Sequence, residues 1–260
     1  MESTGAGDLV ATLRSAGCVF AEDEARLLRA AADSPAALDR LVARRVAGEP
    51  LEQVLGWARF AGVKVFLEPG VFVPRQRTEL LVREAVPRVA PGAVVVDLCC
   101  GSGALGLAVA RRVPGLDLRA SDLDPVAVAC ARRNLAPVGG RVFEGDLFDA
   151  LPEQVRGRID LLLVNAPYVP TDAVSLMPAE ARLHEPRSAL DGGVDGLDVH
   201  RRVAAAAPLW LAPGGRLLVE TSARQARGTA DALRGAGLAV RVVRSDQLDA
   251  TAVVGAMSPG

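Results

Sequence analysis

Lysine is nearly missing from this chain. Lys64 is the only one among 30 basic residues, and arginine supplies the rest. Alanine is abundant as well, so the pattern reads as a compositional bias of the whole sequence, and single arginines carry little information. Cysteine is sparse: Cys18, Cys99, Cys100 and Cys130 include no C-x-x-C pair. That spacing argues against a disulfide framework or a zinc site and predicts reduced thiols in a cytoplasmic protein. No apolar run is long enough for a membrane span. The opening Met1-Glu2-Ser3-Thr4-Gly5 lacks a basic region followed by an apolar one, so neither a signal peptide nor a membrane association is expected. An excess of one charge is also missing, with a net charge of −1 and an isoelectric point near 6.2. This balance argues against binding nucleic acid through bulk electrostatics. The only histidines, His184 and His200, read as surface or structural groups, and no metal site is expected.

What is present is apolar material, 50% of 260 residues, enough for one large domain or a domain with an appendage. Residues 1–56 have helical spacing: Leu9, Leu13 and Ala16 fit one face, Leu27, Leu28 and Ala31 a second, and Leu38, Leu41, Val42 and Val46 a third. The third helix has Ser34-Pro35 as cap and first residue and Gly48 as its stop. A small three-helix N-terminal domain is expected, mildly acidic with nine acids and six arginines. Residues 57–76 hold two short apolar runs about Ala61-Gly62 and predict a β-hairpin linker. Thr78 is the expected cap of the helix that follows.

Residues 77–260 predict the main domain. Strands are expected at Ala93–Asp97, Leu116–Ser121, Arg141–Phe143, Ile159–Val164, Arg216–Glu220, Ala239–Val243 and Ala252–Val254. Helices are expected at Ala104–Arg112, Pro125–Leu135, Leu197–Leu211 and Ala223–Arg234, the third kinked or split by Pro208. The alternation predicts an α/β fold, a doubly wound seven-stranded sheet closed by an antiparallel hairpin.

Chemistry gathers at the strand ends. Val94-Val95-Val96-Asp97 runs into Leu98-Cys99-Cys100-Gly101-Ser102-Gly103, a strand, a tight turn and a helix start. Glycines there let backbone approach a ligand, and the helix N-terminus favours an anionic group. Asp122 follows the second strand, 21 residues after Gly101, where an acid can take both ribose hydroxyls. This segment alone fits either NAD or S-adenosylmethionine. Asp97 would repel pyrophosphate and suits a cationic amino group. Asp146-Leu147 after the third strand suits an adenine, the acid accepting from its NH2 and the leucine covering its ring. After the fourth strand stands Asn165-Ala166-Pro167-Tyr168. Pro167 stiffens the backbone and leaves the Ala166 carbonyl without a neighbouring donor. Asn165 adds a side-chain acceptor, and Tyr168 adds a flat face. Such a corner grips a planar group bearing an NH2. Asp191, Asp195 and Asp198 read as a capped turn, since their spacing lacks a calcium-loop pattern.

These residues resemble the HemK-type protein N5-glutamine methyltransferases, the release-factor glutamine methyltransferase family. The likeness runs from about residue 51 to 256. It includes Leu51 to Gly56, Pro74-Arg75-Gln76-Arg77-Thr78-Glu79, the Asp97 to Gly103 loop and Gly145 to Phe148. It further includes the Asn165 tetrad, Glu185-Pro186-Arg187 through Asp198, and Leu211 to Gly215. The resemblance implies a Rossmann-like methyltransferase sheet. It implies S-adenosylmethionine held by Asp97, Cys99, Cys100, Gly101, Ser102, Gly103, Asp122, Asp146, Leu147 and Asn165. It implies a glutamine amide of a peptide chain release factor held by Asn165, Ala166, Pro167 and Tyr168. Of these, Asn165, Pro167 and Tyr168 are the expected catalytic residues. The chain departs from the family pattern at Ala166 (usually Pro), Cys99 (usually Gly) and Arg77 (usually Asp), and its N-terminal unit is shorter. Other readings of the residues are a nucleobase or small-molecule N-methyltransferase, an NAD-dependent oxidoreductase and a non-catalytic binding protein.

Overall fold

The protein is described here by a computed structural model covering residues 6–259, with side chains from Asp8 onward. The expectation made on Met1–Gly5 lies outside the described residues. The first helices are α1 (Ala6–Ser15), α2 (Ala21–Ala31), α3 (Pro35–Val46) and α4 (Leu51–Leu55). Ser34 caps α3, its hydroxyl accepting from the Ala37 N–H at 3.2 Å. The expected three helices are joined by a fourth, α4. It is too short for periodicity to reveal, and Gly56 ends it at φ 73°. Leu9, Leu13, Ala25, Leu28 and Val54 form the apolar cluster of this unit. The hairpin β1 (Trp57–Phe60) and β2 (Val63–Phe66) pairs antiparallel across Ala61-Gly62.

The remaining elements follow in order: α5 (Glu79–Ala85), β3 (Val94–Leu98), α6 (Ala104–Arg112), β4 (Asp117–Asp122), α7 (Pro125–Leu135), β5 (Arg141–Glu144) and β6 (Ile159–Val164). After them come α8 (Ala179–His184), α9 (Asp198–Trp210), β7 (Leu211–Thr221), α10 (Ala226–Gly235), β8 (Ala239–Ser245) and β9 (Ala250–Ala256). Seven strands form one sheet in the order β5-β4-β3-β6-β7-β9-β8. The strands from β5 to β7 are parallel, and β9 lies antiparallel between β7 and β8. The doubly wound sheet and its closing hairpin are therefore as expected.

Side-chain alternation divides the core. Val95, Leu161, Leu163 and Leu218 pack with α5, α6 and α7 on one face. Val96, Leu98, Leu162, Val164 and Val219 pack with α9 and α10 on the other. Both faces are covered, which is why the central strands read as unbroken apolar runs. Strand order reverses between β3 and β6, so the loops leaving them diverge and open a crevice, the usual ligand position of such sheets.

Two local expectations fail. Pro208 does not split α9, which runs unbroken to Trp210. The burial of Ala204, Ala207 and Trp210 around it holds the helix together. Thr78 stands before α5, but its side chain makes no capping bond. Among the described residues, no helix is long and apolar enough to cross a membrane.

Candidate active site

One cleft of about 240 Å³ opens at the carboxyl ends of β3, β4, β5 and β6. Its walls include Asp97, Cys99, Cys100, Gly101, Ser102, Asp122, Asp146 and Leu147, together with the whole tetrad Asn165 to Tyr168. The predicted donor and substrate residues, which come from four strand ends, thus share one cavity, with the exception of Gly103. Gly103 lies behind it. At φ 74°, an added Cβ there would meet Leu135 at 3.1 Å and Ala131 at 3.2 Å, so this glycine serves the packing of α6 on α7.

Alternation places Asp97 on the α6 side of β3. Its Oδ2 accepts from the Gly106 N–H at 2.8 Å. Burial lifts its pKa to about 8, against the opposing pull of that N–H. The Asp122 Oδ2 accepts from the Gly101 N–H at 2.8 Å and its Oδ1 from the Asp124 N–H at 3.0 Å. Burial raises the Asp122 pKa as well. Cys99 takes φ 55°, a left-handed conformation suited to glycine. Its thiol is pushed up by burial and by Asp122, so it stays protonated. Asp146 projects into the cleft and pairs with Arg202 of α9 at 2.6 Å.

The tetrad is braced from three sides. Asn165 Nδ2 donates to Thr78 Oγ1 at 3.2 Å. Tyr168 Oη donates to Glu220 Oε1 at 3.2 Å, and Arg77 Nε approaches the same oxygen at 3.3 Å. Burial and Glu220 raise the Tyr168 pKa, so the phenol remains a donor. The Asp191-Gly192-Gly193 turn lies along the loop: the Val169 N–H donates to the Leu190 carbonyl, and the Gly192 N–H donates to the Val169 carbonyl. Gln225 Nε2 donates to the Tyr168 carbonyl at 2.7 Å. This is the turn expected for Asp191, Asp195 and Asp198. Among the described residues no group has the makings of a metal site. His200 is fully buried, with Nδ1 at 3.0 Å from Thr229 Oγ1 and a pKa lowered by burial to about 4. It is structural, as expected.

Some site contacts escaped the sequence. Arg202 gave no signal beyond helical spacing. Glu220 closes the apolar run Leu217-Leu218-Val219, and a lone acid there was a usable sign. Two separate motifs prove to be one contact. Arg75 grips both oxygens of fully buried Glu185 at 2.7 and 2.6 Å, and the Val73 N–H donates to the same carboxylate at 3.2 Å.

The site's chemistry can be weighed against its possible cofactors. The acids Asp97, Asp122 and Asp146 line one side of the cleft. Asp97 and Asp122, whose pKa values burial raises, would be ionised by a cationic neighbour, so they suit a nucleoside joined to a cationic amino acid better than a pyrophosphate. Beside Gly101 an added Cβ would find open space, so the loop leaves room for a ligand. The residues present fit S-adenosylmethionine.

Comparison with known proteins agrees. Residues 62–195 match the family model described as methyltransferase small domain. A release factor glutamine methyltransferase of Geobacter sulfurreducens is 44% identical over 193 residues, covering 74% of this chain and 67% of the relative. That of Mycolicibacterium smegmatis is 39% identical over 237 residues, covering 82% and 83%. The chain belongs to the release factor glutamine methyltransferase family. Membership makes it an S-adenosylmethionine-dependent methyltransferase. A 4-amino-L-phenylalanine/4-methylamino-L-phenylalanine methyltransferase of Streptomyces pristinaespiralis is also similar, 39% identical over 191 residues, 71% of this chain and 65% of that one. Among solved structures, a methyltransferase of Pyrococcus furiosus shares the fold at a TM-score of 0.58 and 15% identity, covering 83% of this chain and 97% of its own.

Proposed function

We propose that this enzyme methylates the side-chain amide of a glutamine in a peptide chain release factor. One observation carries the reading. Among the described residues, no protein donor reaches Asn165 Oδ1 or the Ala166 carbonyl. Both residues line the cleft that the Gly101 loop enters, which supports reading the two oxygens as a pair of free acceptors. A primary amide offers two N–H groups to match them.

In this reading Asp97, the loop residues Cys99, Cys100, Gly101 and Ser102, Asp122 and the Asp146-Leu147 pair hold the donor. S-adenosylmethionine, when bound, supplies the electrophilic methyl group. An amide nitrogen is a weak nucleophile because its lone pair is delocalised. Asn165 Oδ1 and the Ala166 carbonyl accept its two N–H bonds, raise the electron density on nitrogen and fix its direction. Pro167 stiffens the corner and Tyr168 walls it. Positioning and preorganised acceptors then do most of the catalysis. The N–CH3 bond forms as the sulfonium S–CH3 bond breaks, the thioether S-adenosylhomocysteine being the leaving group. No strong base is needed, because the nitrogen proton becomes acidic only then and passes to solvent, and buried His200 is not placed to take it.

The same reading treats residues 1–56 as a helical domain, 57–76 as a hairpin linker and 77–260 as the catalytic domain, supported by the separate apolar cluster of α1 to α4. It places the enzyme in the cytoplasm, where its four free cysteines stay reduced. The Streptomyces relative favours a second reading, an aromatic amine as acceptor, whose NH2 suits the same pair of oxygens. A transfer assay with labelled donor, purified release factors and 4-amino-L-phenylalanine tests both. Label on a release-factor glutamine is expected. Label on the amine alone would replace the first reading with the second, and label on neither would overturn both.

A further inference from the structure

We infer that Thr78 is a positioning residue that holds the Asn165 amide with its oxygen toward the substrate. This rests on the reading that Asn165 grips an NH2 group. Thr78 closes the short turn Gln76–Thr78 and precedes α5, with helical backbone at φ −64° and ψ −14°. Its hydroxyl is free of capping and lies 3.2 Å from Asn165 Nδ2, 87 residues further along the chain. Thr78 is 4% exposed and lines the cleft beside Asn165.

A carboxamide has donors at one end and an acceptor at the other, and its terminal torsion has two wells of similar depth. In the structure Thr78 holds one of them, its hydroxyl oxygen accepting from Nδ2, the arrangement that suits a substrate NH2 on the far side of the amide. An amide whose nitrogen donates to Thr78 turns its oxygen away from α5 and leaves it for the ligand. The flipped amide would point its own NH2 at the substrate NH2, donor against donor. The turn carrying Thr78 is itself anchored. Its N–H donates to the Arg75 carbonyl, Arg75 holds buried Glu185, and Arg77 reaches Glu220. Thr78 is therefore fixed from a part of the sequence remote from the tetrad.

The test compares T78V, T78S, T78A and N165A in the full-length enzyme, with S-adenosylhomocysteine as the donor-site probe and the release factor as acceptor. T78V should lower kcat by about 10- to 100-fold, leaving the affinity for S-adenosylhomocysteine and the melting temperature nearly unchanged. T78S should restore kcat. T78V added to N165A should cost nothing further, because both act through one group. In ¹⁵N spectra of the ligand-free protein, the two Asn165 Nδ2 protons should be slow to exchange with solvent in wild type and T78S, and shifted and faster to exchange in T78V. T78A, which removes the hydroxyl without adding a methyl in its place, should repeat these results if T78V folds poorly. Wild-type kcat in T78V with an inactive N165A would refute the role of Thr78 and leave the amide-gripping reading intact. Losses that multiply in the double variant, or unchanged Asn165 resonances in T78V, would also refute it. A fully active N165A would instead overturn the reading on which it rests.

Discussion

Gly192→Ala should damage the active site without touching the donor pocket. An added Cβ would stand 2.7 Å from the Pro167 carbonyl oxygen, 2.7 Å from Tyr168 Cα and 2.8 Å from the Gly196 carbonyl oxygen. All three are backbone atoms, so no side chain can swing aside. Relief of the clash needs about 0.7 Å of separation between the turn and the tetrad loop. Overpacking of this kind costs about 1–3 kcal/mol, or a melting temperature lower by about 2–10 °C at this chain length. A 1 Å misplacement costs on the order of 100-fold in rate, so a kcat loss of about 10- to 50-fold is expected. Calorimetry with S-adenosylhomocysteine should find its affinity unchanged. Gly237→Ala is the control: its φ is 85° but nothing lies within 4 Å of the new atom. It should cost about 1 kcal/mol of backbone strain and leave kcat alone. Wild-type kcat in G192A would refute the idea that this turn braces the tetrad. So would a turnover loss explained entirely by lost donor binding.

Two further outcomes follow from the same geometry. The buried Asp97 carboxyl has its pKa raised from 3.8 to about 8, so between those values the folded protein binds more protons than the unfolded chain, and stability falls as pH rises through that window. The drop in melting temperature from pH 5 to pH 8 should therefore shrink in D97N, and wild-type affinity for S-adenosylhomocysteine should strengthen over pH 6 to 8 as Asp97 ionises; a D97N profile parallel to wild type would contradict this. Cys99 holds φ 55°, which costs an L residue about 1–2 kcal/mol. Cys99→Gly should be at least as stable as wild type by urea unfolding, while branched Cys99→Val should be less stable, and the reverse order would refute the strain.

The sheet was legible because its strands are written as apolar runs. Leu161 to Val164 and Val94 to Val96 are buried from both sides, so each residue of the run is apolar. The hairpin of β8 and β9 was legible because the Arg244 to Thr251 link is too short for a crossover. Local rules failed where distant partners decide the outcome. A threonine before a helix reads as a cap, but the Thr78 hydroxyl finds Asn165 instead. A proline inside a helix reads as a break, but α9 is held by its buried face. The acids and glycines of the site were visible because each follows a strand. Arg202 and Glu220 were not singled out, since their meaning lies in Asp146 and Tyr168, partners 56 and 52 residues away.

The central claim is that the donor pocket and the NH2-gripping corner are separate halves of one cleft, joined at Asn165. Asn165→Ala tests it most directly, with single-turnover methyl transfer measured beside calorimetric binding of S-adenosylhomocysteine. Transfer should fall by at least about 100-fold while donor affinity changes by no more than about threefold. Undiminished transfer, or a loss of donor binding large enough to explain the lost rate, would contradict the account.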